Sequence, residues 1–183
     1  MVKMLSRLGA LRPHIFDVLL GALAFALSAA MLFGYDLADD GVLRVLMLPH
    51  AKITEAYYHI TMPYQNGVGY VAISGDFIIS PACMGVRFIV MLFCMVVCVF
   101  TRRFRGKDKL VFFSLSLVGS VIIGILASCV RIISSVPLVL SGQFVALHAG
   151  TGVVIYLLTL VGIYVLINRC LNNRATGGSY EKQ

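Results

Sequence analysis

The chain has 183 residues, of which 60% are hydrophobic and only 13% charged, and its formal net charge is +7. A soluble domain of this length cannot bury that much apolar surface, so composition excludes one and points to several bilayer-spanning segments. Five cysteines, three of them (Cys94, Cys98, Cys170) within or at the end of apolar runs, are a poor basis for a disulfide framework. The positive charge sorts by position along the chain, which reads as membrane topology and not as nucleic-acid binding.

The N-terminal segment carries Lys3, Arg7 and Arg12 and leads into an apolar run, Ile15–Phe33. No small-residue cleavage site stands at the end of this run, which therefore reads as a retained first span and not as a signal peptide. Ala22, Ala26 and Ala30 recur every four residues along it and are expected to form a helix-packing face. The stretch 34–81 is too long for a simple connector. Asp39 or Asp40 is placed to cap a short helix over Val42–Leu48 that ends near Pro49. Tyr57, Tyr58 and Tyr64 belong to the residue type enriched where membrane meets water. In VGYVAISGDFIIS, two β-rich runs flank Ser74-Gly75-Asp76, which predicts a small hairpin within 68–79.

Three more spans follow, at Ala82–Phe100, Leu110–Val130 and Phe144–Asn168. In the third, Ser116, Ser120, Gly124 and Ser128 recur every four residues, a second expected packing face. The expected fold class is therefore an all-α polytopic membrane protein of about four transmembrane helices. One membrane-embedded domain covers 1–171, and a disordered tail covers 172–183. Eleven of the fifteen basic residues fall in the N-terminal segment, the loop 102–109 and the C-terminal region, leaving Arg44, Lys52, Arg87 and Arg131 elsewhere. The positive-inside rule then puts both termini and that loop in the cytoplasm. Segments 34–81 and 131–147 face the extracytoplasmic side of a cell membrane.

Simple counting brings three chemically able residues to one depth. Eighteen residues separate Cys83 from the basic loop, twenty-one separate Lys109 from Arg131, and twenty separate His148 from Arg169. At the helical rise these correspond to roughly 27, 32 and 30 Å above the inner boundary. A thiol, a guanidinium and an imidazole thus reach the outer surface from three different spans. Ser80 as a cap and Pro81 at the first helical position would put Cys83 in the first turn of its helix, where free N–H groups favour a thiolate. Arg87, one turn later on the same face, would favour it further. Cys129 lies towards the C-terminal end of its span, where the dipole opposes ionisation. Taken singly, each residue has an ordinary explanation: packing for Cys83, lipid contact for Arg131, an interfacial hydrogen bond for His148. Three spans agreeing favours a catalytic site, with His50 and His59 as less favoured alternative bases.

The blocks PACMGVRF, SCVRIISSVP and LHAGTG resemble the three signature blocks of the exosortase/archaeosortase family, and the short chain is most similar to its exosortase K members. The resemblance spans roughly residues 69–152. It implies a multi-pass cysteine transpeptidase with Cys83 as nucleophile, Arg131 as the signature arginine and His148 as the signature histidine. Arg87 and Ser128 are possible auxiliary residues. Met84 and Ser128 stand where the family often has serine and asparagine. The implied partners are exported proteins ending in a short motif, a transmembrane helix and a basic cluster, together with membrane lipid and an amine acceptor. No cofactor or metal is implied. Two rival readings are a plain intramembrane cysteine protease and a non-enzymatic small transporter or assembly subunit. The scarcity of polar residues at mid-depth argues against a transport path.

Overall fold

Four helices in the chain are long and apolar enough to cross a membrane, spanning Ile15–Asp36, Pro81–Arg103, Asp108–Pro137 and Gly150–Asn173. The computed structural model describes the backbone of residues 2–140 and 144–177 and the side chains of residues 15–137 and 150–173. The helices are α1 (Val2–Asp36), α2 (Asp40–Tyr58), α3 (Val86–Phe100), α4 (Asp108–Leu140) and α5 (Phe144–Gly177). Between α2 and α3 lie the short strands β1 (Tyr64–Gln65), β2 (Gly69–Val71) and β3 (Ile78–Ile79) and a 3₁₀ turn, Pro81–Met84, called here the thiol turn.

Helix α3 is the central element. It packs against α1 on one side and α4 on the other, and α4 packs against α5. Its residues Phe88, Ile89, Leu92, Phe93, Val96, Val97 and Phe100 are all buried. Lipid tails are as apolar as these side chains, so close fit and hydrogen bonds hold the helices together, not exclusion from water. The serine-glycine face expected on α4 supplies that fit: Ser116, Ser120, Gly124 and Ser128 are buried, and the Ile89 side chain lies directly against Gly124. The alanine face expected on α1 does not. Ala22, Ala26 and Ala30 are exposed, while Leu20, Ala24 and Ser28 turn inward. Ser28 Oγ meets Cys94 Sγ at 3.2 Å, and Leu20 and Ala24 pack on Phe93 and Val97. Small size alone did not decide which face packs. At the end of the bundle near the 101–107 connection, Lys109 of α4 pairs with Asp17 of α1.

At the other end, Asp39 caps α2 as expected, its Oδ1 accepting from the Val42 N–H at 2.9 Å. The helix does not stop at Pro49 but runs on to Tyr58. Pro49 is exposed and so is Val45, whose carbonyl is the one the proline ring leaves unbonded. The missing bond thus falls on the open side of the helix. The hairpin is present as β2–β3, with Tyr70 opposite Ile79 and Val71 opposite Ile78. A further strand, β1, pairs with β2 on its other side, giving an antiparallel sheet of order β1-β2-β3. Met47 and Ala51 of α2, Tyr70 and Ile79 of the sheet, Met84 and Ile132 form one buried cluster. Helix α4 continues well past Val130, through Pro137 to Leu140, and α5 begins at Phe144, so most of the connection expected over 131–147 is helical; residues 141–143 lie outside the described residues. Of the tail expected over 172–183, residues 172–177 are instead helical, as the end of α5; residues 178–183 lie outside the described residues.

Candidate active site

Cys83 sits in the thiol turn and not, as expected, in the first turn of the membrane helix. Pro81 starts the turn, and the Cys83 N–H closes it onto Ser80 O at 2.9 Å. Gly85 then adopts φ +65°, and α3 begins only at Val86. An L-residue disfavours this left-handed conformation, whereas glycine adopts it readily. The break also ends the 3.6-residue register between Cys83 and Arg87. Arg87 is exposed in the first turn of α3 and lines a different cavity from Cys83, so the two do not share a face.

Three separate helices hold the thiol turn. From α1, Tyr35 Oη donates to Pro81 O at 2.5 Å. From α4, Ser128 Oγ donates to Met84 O at 3.1 Å. From α5, Tyr156 Oη meets Ser128 Oγ at 3.2 Å, and its ring stacks on Phe88 with centroids 4.4 Å apart. A Cβ placed on Gly85 would overlap Ser128 Oγ and lie 2.6 Å from Tyr156 Oη. The backbone around the thiol is therefore closely cradled. Cys83 itself is half-buried, with Ser80 Oγ 3.7 Å from its Sγ. Ser128, expected as an auxiliary residue, bonds the turn that carries Cys83.

Arg131 lies within α4, not at its end. Its guanidinium stands 5.4 Å from the centre of the Tyr156 ring, and its stem packs against Gly152, where a Cβ would meet Cδ at 3.0 Å. Among the described residues its buried Nε has no hydrogen-bond partner. Arg131 and Cys83 are close in the fold but line different cavities on either side of the thiol turn. Cys83 borders a cleft of about 350 Å³ between β3 and the Ile132, Ser135 and Val136 face of α4. Arg131 and Arg87 border a second cavity of about 570 Å³, which also contains Tyr35 and Asp36. His148 belongs to α5, four residues or about one turn before Gly152; its side chain lies outside the described residues.

Of the two alternative bases, His59 is exposed at the left-handed C-terminal cap of α2, with φ 55° and its N–H on Glu55 O. His50 is the opposite case. It is 1% exposed, on a helix packed against α4, and among the described residues neither ring nitrogen has a partner. Burial, and next the charge of Arg131, hold its pKa below the ordinary value of 6.5, so the ring is neutral at pH 7. Sequence reasoning did not pick out Tyr35 or Tyr156 as site residues. Tyr156 lies eight residues after His148 and four after Gly152, a helical spacing that was a usable signal. Among the described residues no group of three His, Cys, Asp or Glu side chains is arranged to hold a metal ion. No family model, curated protein or solved structure matches the chain.

Proposed function

We propose that the chain is a membrane-embedded cysteine transpeptidase of the exosortase/archaeosortase kind, with its site on the extracytoplasmic side of the cell membrane and both termini in the cytoplasm. The observation that carries this reading is the thiol turn, whose backbone is held by hydroxyl groups from α1 and α4 with Tyr156 of α5 packed against it. A cysteine that served only to fill space would need no such support, whereas a nucleophile gains from being held in a reactive geometry.

In the proposed reaction, an exported client lies beside the bundle through its C-terminal transmembrane helix and presents a peptide bond to Cys83. The thiolate attacks the carbonyl carbon; a C–S bond forms as the C–N bond breaks, and His148 gives a proton to the departing amine. Arg131 offsets the negative charge that develops on the carbonyl oxygen. This role has its guanidinium swing round the thiol turn from the neighbouring cavity when a client fills the site. An acceptor amine, carried on a lipid or another anchor, then gives its proton to His148 and attacks the thioester, releasing the thiolate. Arg87 adds positive charge on the same side of the turn.

The test is to express Cys83→Ala and His148→Ala variants at normal levels in the native host. Proteins bearing a C-terminal motif, helix and basic cluster are then followed by mass spectrometry. Unprocessed clients should accumulate in both variants. Continued processing in either would overturn the assignment.

A further inference from the structure

We infer that the free edge of β3 is the binding strand for the client: the segment to be cleaved is bound extended, as a fourth strand, in the cleft that Cys83 borders. This rests on the proposed transpeptidase reading and specifies its substrate as a non-helical, apolar polypeptide segment.

The ladder itself assigns the free groups. The Ala72 N–H bonds Phe77 O at 3.1 Å, and the register pairs Val71 with Ile78 and Tyr70 with Ile79. Antiparallel rungs alternate between bonded and non-bonded, so the Val71–Ile78 rung is non-bonded and Tyr70–Ile79 is bonded. The other side of β2 gives the same answer, because the Val71 N–H is already committed to Pro63 O at 3.1 Å. The N–H and C=O of Ile78 therefore point away from β2. Strand β3 is the edge of the sheet, and its free side is the wall of the cleft. Ile78 and Ile79 line that cleft together with Cys83, facing Ile132 and Val136 of α4.

A donor and an acceptor on one residue, aimed into an apolar cleft, match the main chain of an extended peptide. A helix has no main-chain groups to offer them, since its own are paired internally. Ser135, the polar residue on the α4 wall, uses its hydroxyl on Arg131 O at 2.6 Å. Asp76 and Ser80 also line the β3 side, but between Ile78, Ile79, Ile132 and Val136 the walls offer main-chain pairing plus apolar contact, which favours apolar side chains on the bound strand. The thiol lies five residues beyond Ile78 on the same wall, so a strand paired at Ile78 runs towards it.

The test uses the full-length protein in nanodiscs and an acetylated apolar tetrapeptide chloromethyl ketone, whose chloride the Cys83 thiolate displaces to form a C–S bond. Labelling of Cys83 is read by peptide mass spectrometry and expressed as a ratio to its labelling by iodoacetamide, which has no peptide chain. Methylating one backbone nitrogen of the reagent, at the position that pairs with Ile78 O, should lower the ratio about tenfold, the effect of one or two net hydrogen bonds. Ile78→Pro removes the outward N–H without touching a bonded rung and should lower the ratio similarly, while Ile78→Thr should preserve it. If reagents methylated at every position in turn keep the ratio of the parent, or Ile78→Pro keeps it, edge pairing is overturned although Cys83 is reactive. A Cys83 that iodoacetamide does not modify overturns the transpeptidase reading and this one with it.

Discussion

Replacing Gly85 with alanine tests the cradle around the thiol turn. Its φ of +65° costs an L-residue about 1–2 kcal/mol. The new methyl carbon would overlap Ser128 Oγ and crowd Tyr156 Oη, an overpacking cost of about 1–3 kcal/mol. Together these give a destabilisation of roughly 2–5 kcal/mol for Gly85→Ala. The nearest obstacle is one hydroxyl, so the steric part should be relieved by removing it. Ser128→Ala alone should cost about 1–2 kcal/mol, because Met84 O loses its donor. The double variant should then be less unstable than the sum by about 0.5–2 kcal/mol. Unfolding in mixed detergent–SDS micelles, followed by maleimide access to the buried Cys129, measures all four species. A Gly85→Ala protein within 0.5 kcal/mol of the parent, or costs that simply add, would refute the close cradle.

Two further outcomes follow from buried charge. The folded-state pKa of His50 lies below its unfolded value, so the unfolded chain binds the proton more readily. The resulting stability is present above about pH 6.5 and is lost as pH falls from there towards the folded pKa. Unfolding curves at pH 5 and 7.5 should show this loss, and His50→Phe should reduce it. Lys109 and Asp17 form a mostly buried pair with side chains 7% and 14% exposed. Lys109→Ala should cost about 3 kcal/mol by leaving the carboxylate alone, and adding Asp17→Asn should recover most of that. Equal instability of the single and double variants would show that the pair is held apart from solvent for no electrostatic reason.

Hydropathy alone was enough to find the four long apolar helices, because the length and polarity of a span leave few choices. The boundaries were less legible. The chain could run on past Pro49 and Pro137 because each lost bond is accommodated: α2 leaves it on an open face, and in α4 the freed Ile133 O accepts from Tyr58 Oη of α2 at 2.7 Å. Counting residues correctly placed Cys83 and Arg131 at one end of the bundle, but not in one cavity. Gly85 resets the direction of the chain between them, and its left-handed backbone leaves no mark in the hydropathy pattern. The face of α1 was misread for a related reason. Packing there is chosen by what lies opposite, Cys94 and Phe93, which spacing within α1 cannot reveal. Tyr35 and Tyr156 carried no signal of their own, since their hydroxyl partners, 46 and 28 residues away in the chain, are brought to them only by the fold.

Only 6% of the α5 span is buried, against 44% of the α3 span, so most of α5 faces outward; Arg103 holds its far end through Asn168 and Asn172. Yet one of its side chains, Tyr156, rests on Phe88, supports Arg131 and fills the space beside Gly85. Close-packed contacts of this kind pass displacement on and do not absorb it. Sliding or tilting α5 by an ångström therefore moves the arginine cradle and the thiol turn together. One helix that is mostly outward-facing is thus coupled, through a single tyrosine, to both Arg131 and the turn that carries Cys83.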